Sequence, residues 1–291
     1  MPPTSSGTMD AIMGSILTID TGGTKTRLAS FDSATSIDQA MTVEPLDTFE
    51  FPTPRHPDKY LDGLVAAILH HFPEFSNYSE ENVVVIATTG RVNNGVVTSS
   101  VIGWKDFPLQ SNLSQQLSDV RVIVGNDAKI GAIGAFAGSP VRRGLYVAIG
   151  TGIGGGMVID GYPSADLAGM EIGKMTFTDR HESIIWEKLA SGSAFYQKYG
   201  RLAQTIDANN PIWQEYASAI AKGLVVLLPV LLPDQIIIGG AMAEFLPKYG
   251  DALRRTISKN GWPPMSNVEI VAVADLHYTV NRGALLLALQ Q

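Results

Sequence analysis

The chain has 291 residues and a mass of 31.2 kDa, with 45% hydrophobic and 17% charged residues, which is enough for two hydrophobic cores and argues against disorder. A formal net charge of -7 argues against a protein that grips a nucleic-acid backbone, and the absence of cysteine excludes disulfides, thiolate catalysis and cysteine-ligated zinc. Residues Met1 to Gly14 hold no basic cluster followed by an apolar core, and the run Leu224 to Leu232 is too short to span a bilayer, so a cytoplasmic protein without a membrane partner is expected.

After a polar leader, Ser15 to Asp20 reads as a strand, and Thr26 to Phe31 as a second strand returning from a Gly/Thr turn. Asp58 to Phe72 has helical periodicity, with Leu61, Leu64, Val65, Ile68 and Leu69 on one face. Val83 to Thr88 reads as a buried strand, and Gly90 to Pro108 as a loop or extended excursion around Trp104, a residue suited equally to a cleft wall or a core anchor. A short helix over Leu113 to Leu117 and a strand over Val120 to Val124 follow, and Asn126-Asp127 opens a small-residue helix through Phe136.

A hinge is expected near Gly125. Beyond it Leu145 to Ile149 and Gly155 to Ile159 form a hairpin on the plan of the first one. Ser183 to Tyr199 reads as a helix broken near Ser191-Gly192, and Trp213 to Leu232 as an apolar helix containing Pro229. A strand and turn over Ile236-Ile237-Ile238-Gly239-Gly240, a helix from Phe245 to Ser258, a strand from Glu269 to Ala272 and a terminal helix from Thr279 to Leu289 complete the pattern. Two halves of one plan make an α/β protein of two lobes around a cleft. Residues 1–125 are expected to form the smaller lobe, completed by the terminal segment 279–291, and residues 126–278 the larger one.

The turns carry the candidate chemistry. Asp20 precedes Gly22-Gly23-Thr24-Lys25, so a carboxylate can organise Mg²⁺ or its waters while turn amides meet phosphate oxygens; an acid-rimmed tight turn is the plainer alternative. Gly150-Thr151-Gly152-Ile153-Gly154 is the second such turn, and neither run has the spacing of the usual nucleotide P-loop. Asp127 can accept a proton from an alcohol attacking a terminal phosphoryl group, or it can cap its helix. Glu171 and Glu187 can orient sugar hydroxyls or stand solvated. Lys174 can neutralise ligand charge or lie on the surface, and His56, His70, His71, His181 and His277 have no metal-ligand spacing.

In their order along the chain, Asp20-Thr21-Gly22-Gly23-Thr24-Lys25, Gly150-Thr151-Gly152-Ile153-Gly154-Gly155-Gly156 and Ile238-Gly239-Gly240 resemble the first phosphate, second phosphate and adenosine motifs of the bacterial ROK family of sugar kinases and repressors, within the sugar-kinase, actin and heat-shock ATPase fold. The resemblance implies ATP and Mg²⁺ as cofactors and a hexose as acceptor, glucose to glucose 6-phosphate in the first instance. It implies Asp127 as catalytic base, Gly90, Asn126, Glu171 and Glu187 at the sugar, and Asp20 at the metal. A homodimer is the implied assembly. A repressor is disfavoured, since no helix-turn-helix extension precedes the first turn. A weak kinase that binds sugar, another sugar, and inorganic polyphosphate as donor are the alternatives.

Three positions depart from the family pattern. Lys174 stands where many members carry a zinc-binding histidine, and Thr176 to Trp186 lacks their cysteines, so no structural zinc is expected. Val101 lies in the Ser99-Ser100-Val101-Ile102 run where family glucokinases place a sugar-contacting asparagine, and Met170 replaces the glycine before the glutamate matched by Glu171. Both changes bear on which sugar is accepted.

Overall fold

The computed structural model describes residues 14–33, 35–40, 42–76, 81–118, 120–179 and 182–290; the leader before Gly14, and His181, lie outside them. In the first half, β1 (Ser15–Thr21), β2 (Lys25–Asp32) and β3 (Asp47–Pro52) precede α1 (Pro57–His71) and β4 (Val83–Thr88). A small sheet of β5 (Arg91–Asn93), β6 (Val96–Ser99) and β7 (Trp104–Phe107), then α2 (Leu109–Gln116), leads into β8 (Arg121–Asn126). The main sheet has the order β3-β2-β1-β4-β8, with an antiparallel β1/β2 hairpin and β1, β4 and β8 parallel.

The second half opens with α3 (Asp127–Phe136) and continues through β9 (Arg143–Ile149), β10 (Ile153–Ile159) and β11 (Tyr162–Pro163). The hairpin β12 (Thr176–Asp179) and β13 (Glu182–Ile185) follows, then α4 (Trp186–Ala190), α5 (Gly192–Tyr199) and α6 (Ile212–Leu231). β14 (Gln235–Gly239), α7 (Leu246–Asn260), β15 (Glu269–Ala272) and α8 (Thr279–Leu289) close the chain. The sheet order β11-β10-β9-β14-β15, with β9/β10 antiparallel and β9, β14 and β15 parallel, repeats the first sheet strand for strand.

Burial explains the elements. Val83-Val84-Val85-Ile86-Ala87-Thr88 is buried at every position, as a central parallel strand covered on both faces must be. One face packs Leu17, Ile19 and Leu28 against Tyr60, Leu64 and Ile68 of α1. The other packs Ile16, Ala29, Phe31 and Val85 against Ile130 and Ile133 of α3 and Leu285 and Leu286 of α8. The α3 and α8 helices approach through glycines, since a Cβ on Gly134 would lie 2.1 Å from the Thr279 carbonyl oxygen and one on Gly283 would lie 2.0 Å from that of Ile130.

Two expectations are corrected, and between them one open reading is decided. Ser183 to Ile185 is strand rather than helix, because Thr176 to Asp179 pairs with it as a hairpin. The excursion after Gly90 is a three-stranded sheet, and Trp104 is a core residue, 2% exposed, with its ring 4.6 Å from that of Tyr60. The apolar run at Leu224 belongs to a helix of 20 residues, which by length and composition alone suffices to cross a bilayer. Its Trp213, Tyr216, Ile220, Leu224 and Leu228 instead form the core over the second sheet, and burial there accounts for its apolarity.

Candidate active site

The carboxyl ends of the parallel strands in both sheets converge on one cleft, the usual binding region of open α/β sheets. A cavity of about 550 Å³ there is lined by Asp20, Gly22 and Gly23 after β1, Asn126 and Asp127 after β8, Gly150, Thr151 and Gly152 after β9, and Gly240 after β14. Gly90, Val101, Glu171, Lys174 and Glu187 line it as well. Thr24, Lys25 and Gly239 do not. The Lys25 ammonium turns to Glu50 on β3, 2.9 Å away, and Gly239 leaves room for Tyr146, whose hydroxyl would lie 2.0 Å from a Cβ at that position.

The glycine run divides into two physical roles. A Cβ on Gly150 would meet nothing within 4 Å, so packing within the protein does not demand glycine there and the space is left to a ligand. Gly154, Gly155 and Gly156 belong to β10. A Cβ on Gly154 would stand 2.7 Å from that of Ala128, one on Gly156 2.6 Å from that of Ala132, and one on Gly155 2.3 Å from Ile172 Cδ1. These glycines bring α3 and the turn before Lys174 flush against the strand, which sets Asp127 and Glu171 at the cleft.

Asn126 caps α3, its side-chain oxygen accepting from the Lys129 N–H at 3.1 Å, and its amide donates to the Gly90 carbonyl at 2.8 Å. Asp127 is therefore the first residue of the helix rather than its cap, with Oδ1 accepting from Ala128 N–H at 2.7 Å. Burial raises its pKa to about 6, with the Glu171 charge adding and the Ala128 and Lys129 contacts opposing. Burial also raises Asp20 to about 7, helped by Asp127 and opposed by Arg27 and Lys25. Both carboxyls keep partial access from the cleft, so a cation bound there would restore their charged forms.

Asp20 is a hard oxygen donor with incomplete charge compensation, which suits Mg²⁺. Among the described residues no three His, Cys, Asp or Glu side chains gather to cage a metal.

At the other end Glu187, with 18% of its side chain exposed, accepts from Lys174 Nζ at 2.5 Å. Gly90 has φ +102, and a Cβ there would lie 2.6 Å from the Thr98 carbonyl oxygen. Gly90→Ala is expected to cost about 1–3 kcal/mol and to disturb the Gly90 carbonyl that receives the Asn126 amide. Denaturant midpoints check this; an unchanged midpoint contradicts it.

Arg27, Lys129 and Tyr146 were not singled out from the sequence. Arg27 lines the cleft, stands opposite Asp20 in the β1/β2 register and donates to the His277 carbonyl at 3.0 Å. The hairpin register was the available signal, since residues directly opposite share a face. Tyr146 lines the cleft from β9, and Lys129 was legible only as a lone cation in an apolar helix.

The profile of the ROK family matches residues 16–291. The chain belongs to the ROK family. A fructokinase from Lactococcus lactis subsp. cremoris is 28% identical to this ROK chain over 163 residues, 52% of the chain and 56% of the relative, so that match spans about half of the relative's length. A glucokinase from Halalkalibacterium halodurans is 26% identical over 298 residues, 83% of each. A ROK family glucokinase from Streptomyces griseus, solved with glucose and AMPPNP, superposes with a TM-score of 0.74 at 21% identity, covering 96% of this chain and 100% of that one. The fold is the two-lobed sugar-kinase and actin-like ATPase architecture expected from the motifs.

Proposed function

We propose that this ROK protein is a sugar kinase that transfers the γ-phosphoryl group of ATP to a hexose hydroxyl, with glucose the first acceptor to test. The observation that carries the reading is Asp127, a half-buried carboxylate opening α3 in a cleft flanked by two glycine turns, with a second carboxylate, Asp20, near enough for the Asp127 charge to help raise the Asp20 pKa.

Asp127 takes the proton of the attacking hydroxyl as the new oxygen–phosphorus bond forms and the bond to the departing ADP oxygen breaks. A pKa near 6 leaves it ionised at neutral pH and basic enough to accept that proton. Glu171 and Glu187 accept hydrogen bonds from the sugar's other hydroxyls, with Asn126 and Gly90 shaping the same wall. The turns at Gly22-Gly23 and Gly150-Thr151-Gly152 receive the phosphate chain, and Gly240 the nucleoside end. Asp20 would hold Mg²⁺, which would supply neutralisation of phosphate charge. Family resemblance also supports a cytoplasmic homodimer.

The test is a panel of glucose, fructose, mannose and N-acetylhexosamines with Mg-ATP, scored by the sugar phosphate formed. A product with at least one sugar is expected. Carbohydrate binding without product from ATP or polyphosphate would make the protein a sugar-binding module instead.

A further inference from the structure

Lys129 is a costly residue where it stands. It lies in the first turn of α3, where the positive end of the helix dipole disfavours a cation, and it is largely removed from water, which pulls its pKa down. Its ammonium donates to two carbonyls from different elements: Gly155 on β10 at 2.7 Å and Met170 at 2.5 Å. The nearby charges of Glu171 and Asp127 favour its ionised form. Lys129 is not among the residues lining the cleft, so it acts through those that are.

The Met170 carbonyl belongs to the residue directly before Glu171, and the turn that follows lies flush on β10, since a Cβ on Gly173 would stand 2.1 Å from the Ile153 carbonyl oxygen. The turn is thus seated from one side by glycine packing and tied from the other by the ammonium. We propose that Lys129 is the positioning residue of the acceptor end, a strut from α3 that fixes where Glu171 stands relative to Asp127. This rests on the sugar-kinase reading above. It predicts that losing the strut is felt mainly as loss of sugar affinity, because Asp127 is also placed by the Asn126 cap and the Ala128 N–H, whereas Glu171 has no side-chain hydrogen bond of its own to the helix it precedes.

The test is a double-mutant cycle with Lys129→Met and Glu171→Gln, read as KM for the sugar and kcat separately, with Lys129→Arg as the conservative variant. Each single change is expected to raise sugar KM about tenfold or more, with a smaller effect on kcat. The double variant is expected to be no worse than the weaker single, the sign of two residues acting as one. Lys129→Arg, which keeps charge and donors, is expected to recover most of the loss. Should Lys129→Met fail to fold, Lys129→Gln takes its place in the cycle.

A sugar KM within about twofold of wild type for Lys129→Met, or KM effects that multiply in the double variant, would overturn the proposal while leaving the kinase reading intact. If wild-type protein transfers phosphate to no sugar, the kinase reading fails, and the same cycle read on the sugar's dissociation constant decides the strut alone. Wild-type protein that neither transfers nor binds overturns both.

Discussion

Replacing Asp127 with asparagine is expected to lower kcat about 10²–10⁴-fold, the usual contribution of a positioned general base, while leaving the fold intact. The amide retains an oxygen to accept from Ala128 N–H, and the cap belongs to Asn126. Stability should move the other way. Burial raises the Asp127 pKa from 3.8 to about 6, so the folded state favours the protonated acid. That preference stabilises the protein below pH 3.8 and is lost as pH rises through about 6, beyond which the buried charge is a net cost.

The interval corresponds to at most about 3 kcal/mol, reduced by the access of water from the cleft. Asp127→Asn should therefore be much slower and, at pH 8, more stable than the wild type. The same protons set the pH profile. With Asp127 near 6 and Asp20 near 7 in the unliganded protein, kcat/KM should decline as pH drops below about 7 and steepen below about 6. A variant that transfers phosphate at the wild-type rate would remove Asp127 from the role of base.

Placing a side chain at Gly283 is expected to destabilise the protein by about 3 kcal/mol or more for valine, beyond the usual range of surface substitutions. Helix propensity alone argues the reverse, since alanine is favoured over glycine by about 1 kcal/mol in a helix interior. The contact decides. A Cβ at Gly283 would lie 2.0 Å from the Ile130 carbonyl oxygen and 2.9 Å from the Gly134 nitrogen, both backbone atoms of α3. Neither can retreat unless the helices separate, and they carry the core shared by Ile130, Ile133, Leu285 and Leu286. Gly283→Ala should therefore already destabilise, with Gly283→Val worse, both read from urea midpoints. An alanine variant as stable as wild type would mean that the crossing is looser than described.

Much of this was legible in the residues. Glycine turns between β-branched runs locate both hairpins, Asn126-Asp127 marks the start of α3, and the uninterrupted apolar run at Val83 locates the central strand. What escaped depends on partners distant in sequence. Asp47–Pro52 is an edge strand with one exposed acid, Glu50, between the half-buried Phe49 and Phe51, too weak a pattern to stand alone. Missing it also concealed why Lys25 leaves the cleft, because its partner Glu50 lies on that strand. Gly154, Gly155 and Gly156 belong to the run that resembles the second phosphate motif, yet all three serve helix and turn packing against β10. Lys129 has no local signal of function, since its partners lie at Gly155 and Met170.

Phosphoryl transfer to a sugar within this cleft is followed at the phosphorus itself. Wild-type protein with Mg-ATP and the sugar it binds best is watched by ³¹P NMR. The γ-phosphorus signal is expected to be replaced by that of a sugar phosphate, with ADP formed in equal amount and no excess of free phosphate. An unchanged ATP spectrum in the presence of bound sugar, or release of inorganic phosphate alone, would contradict it.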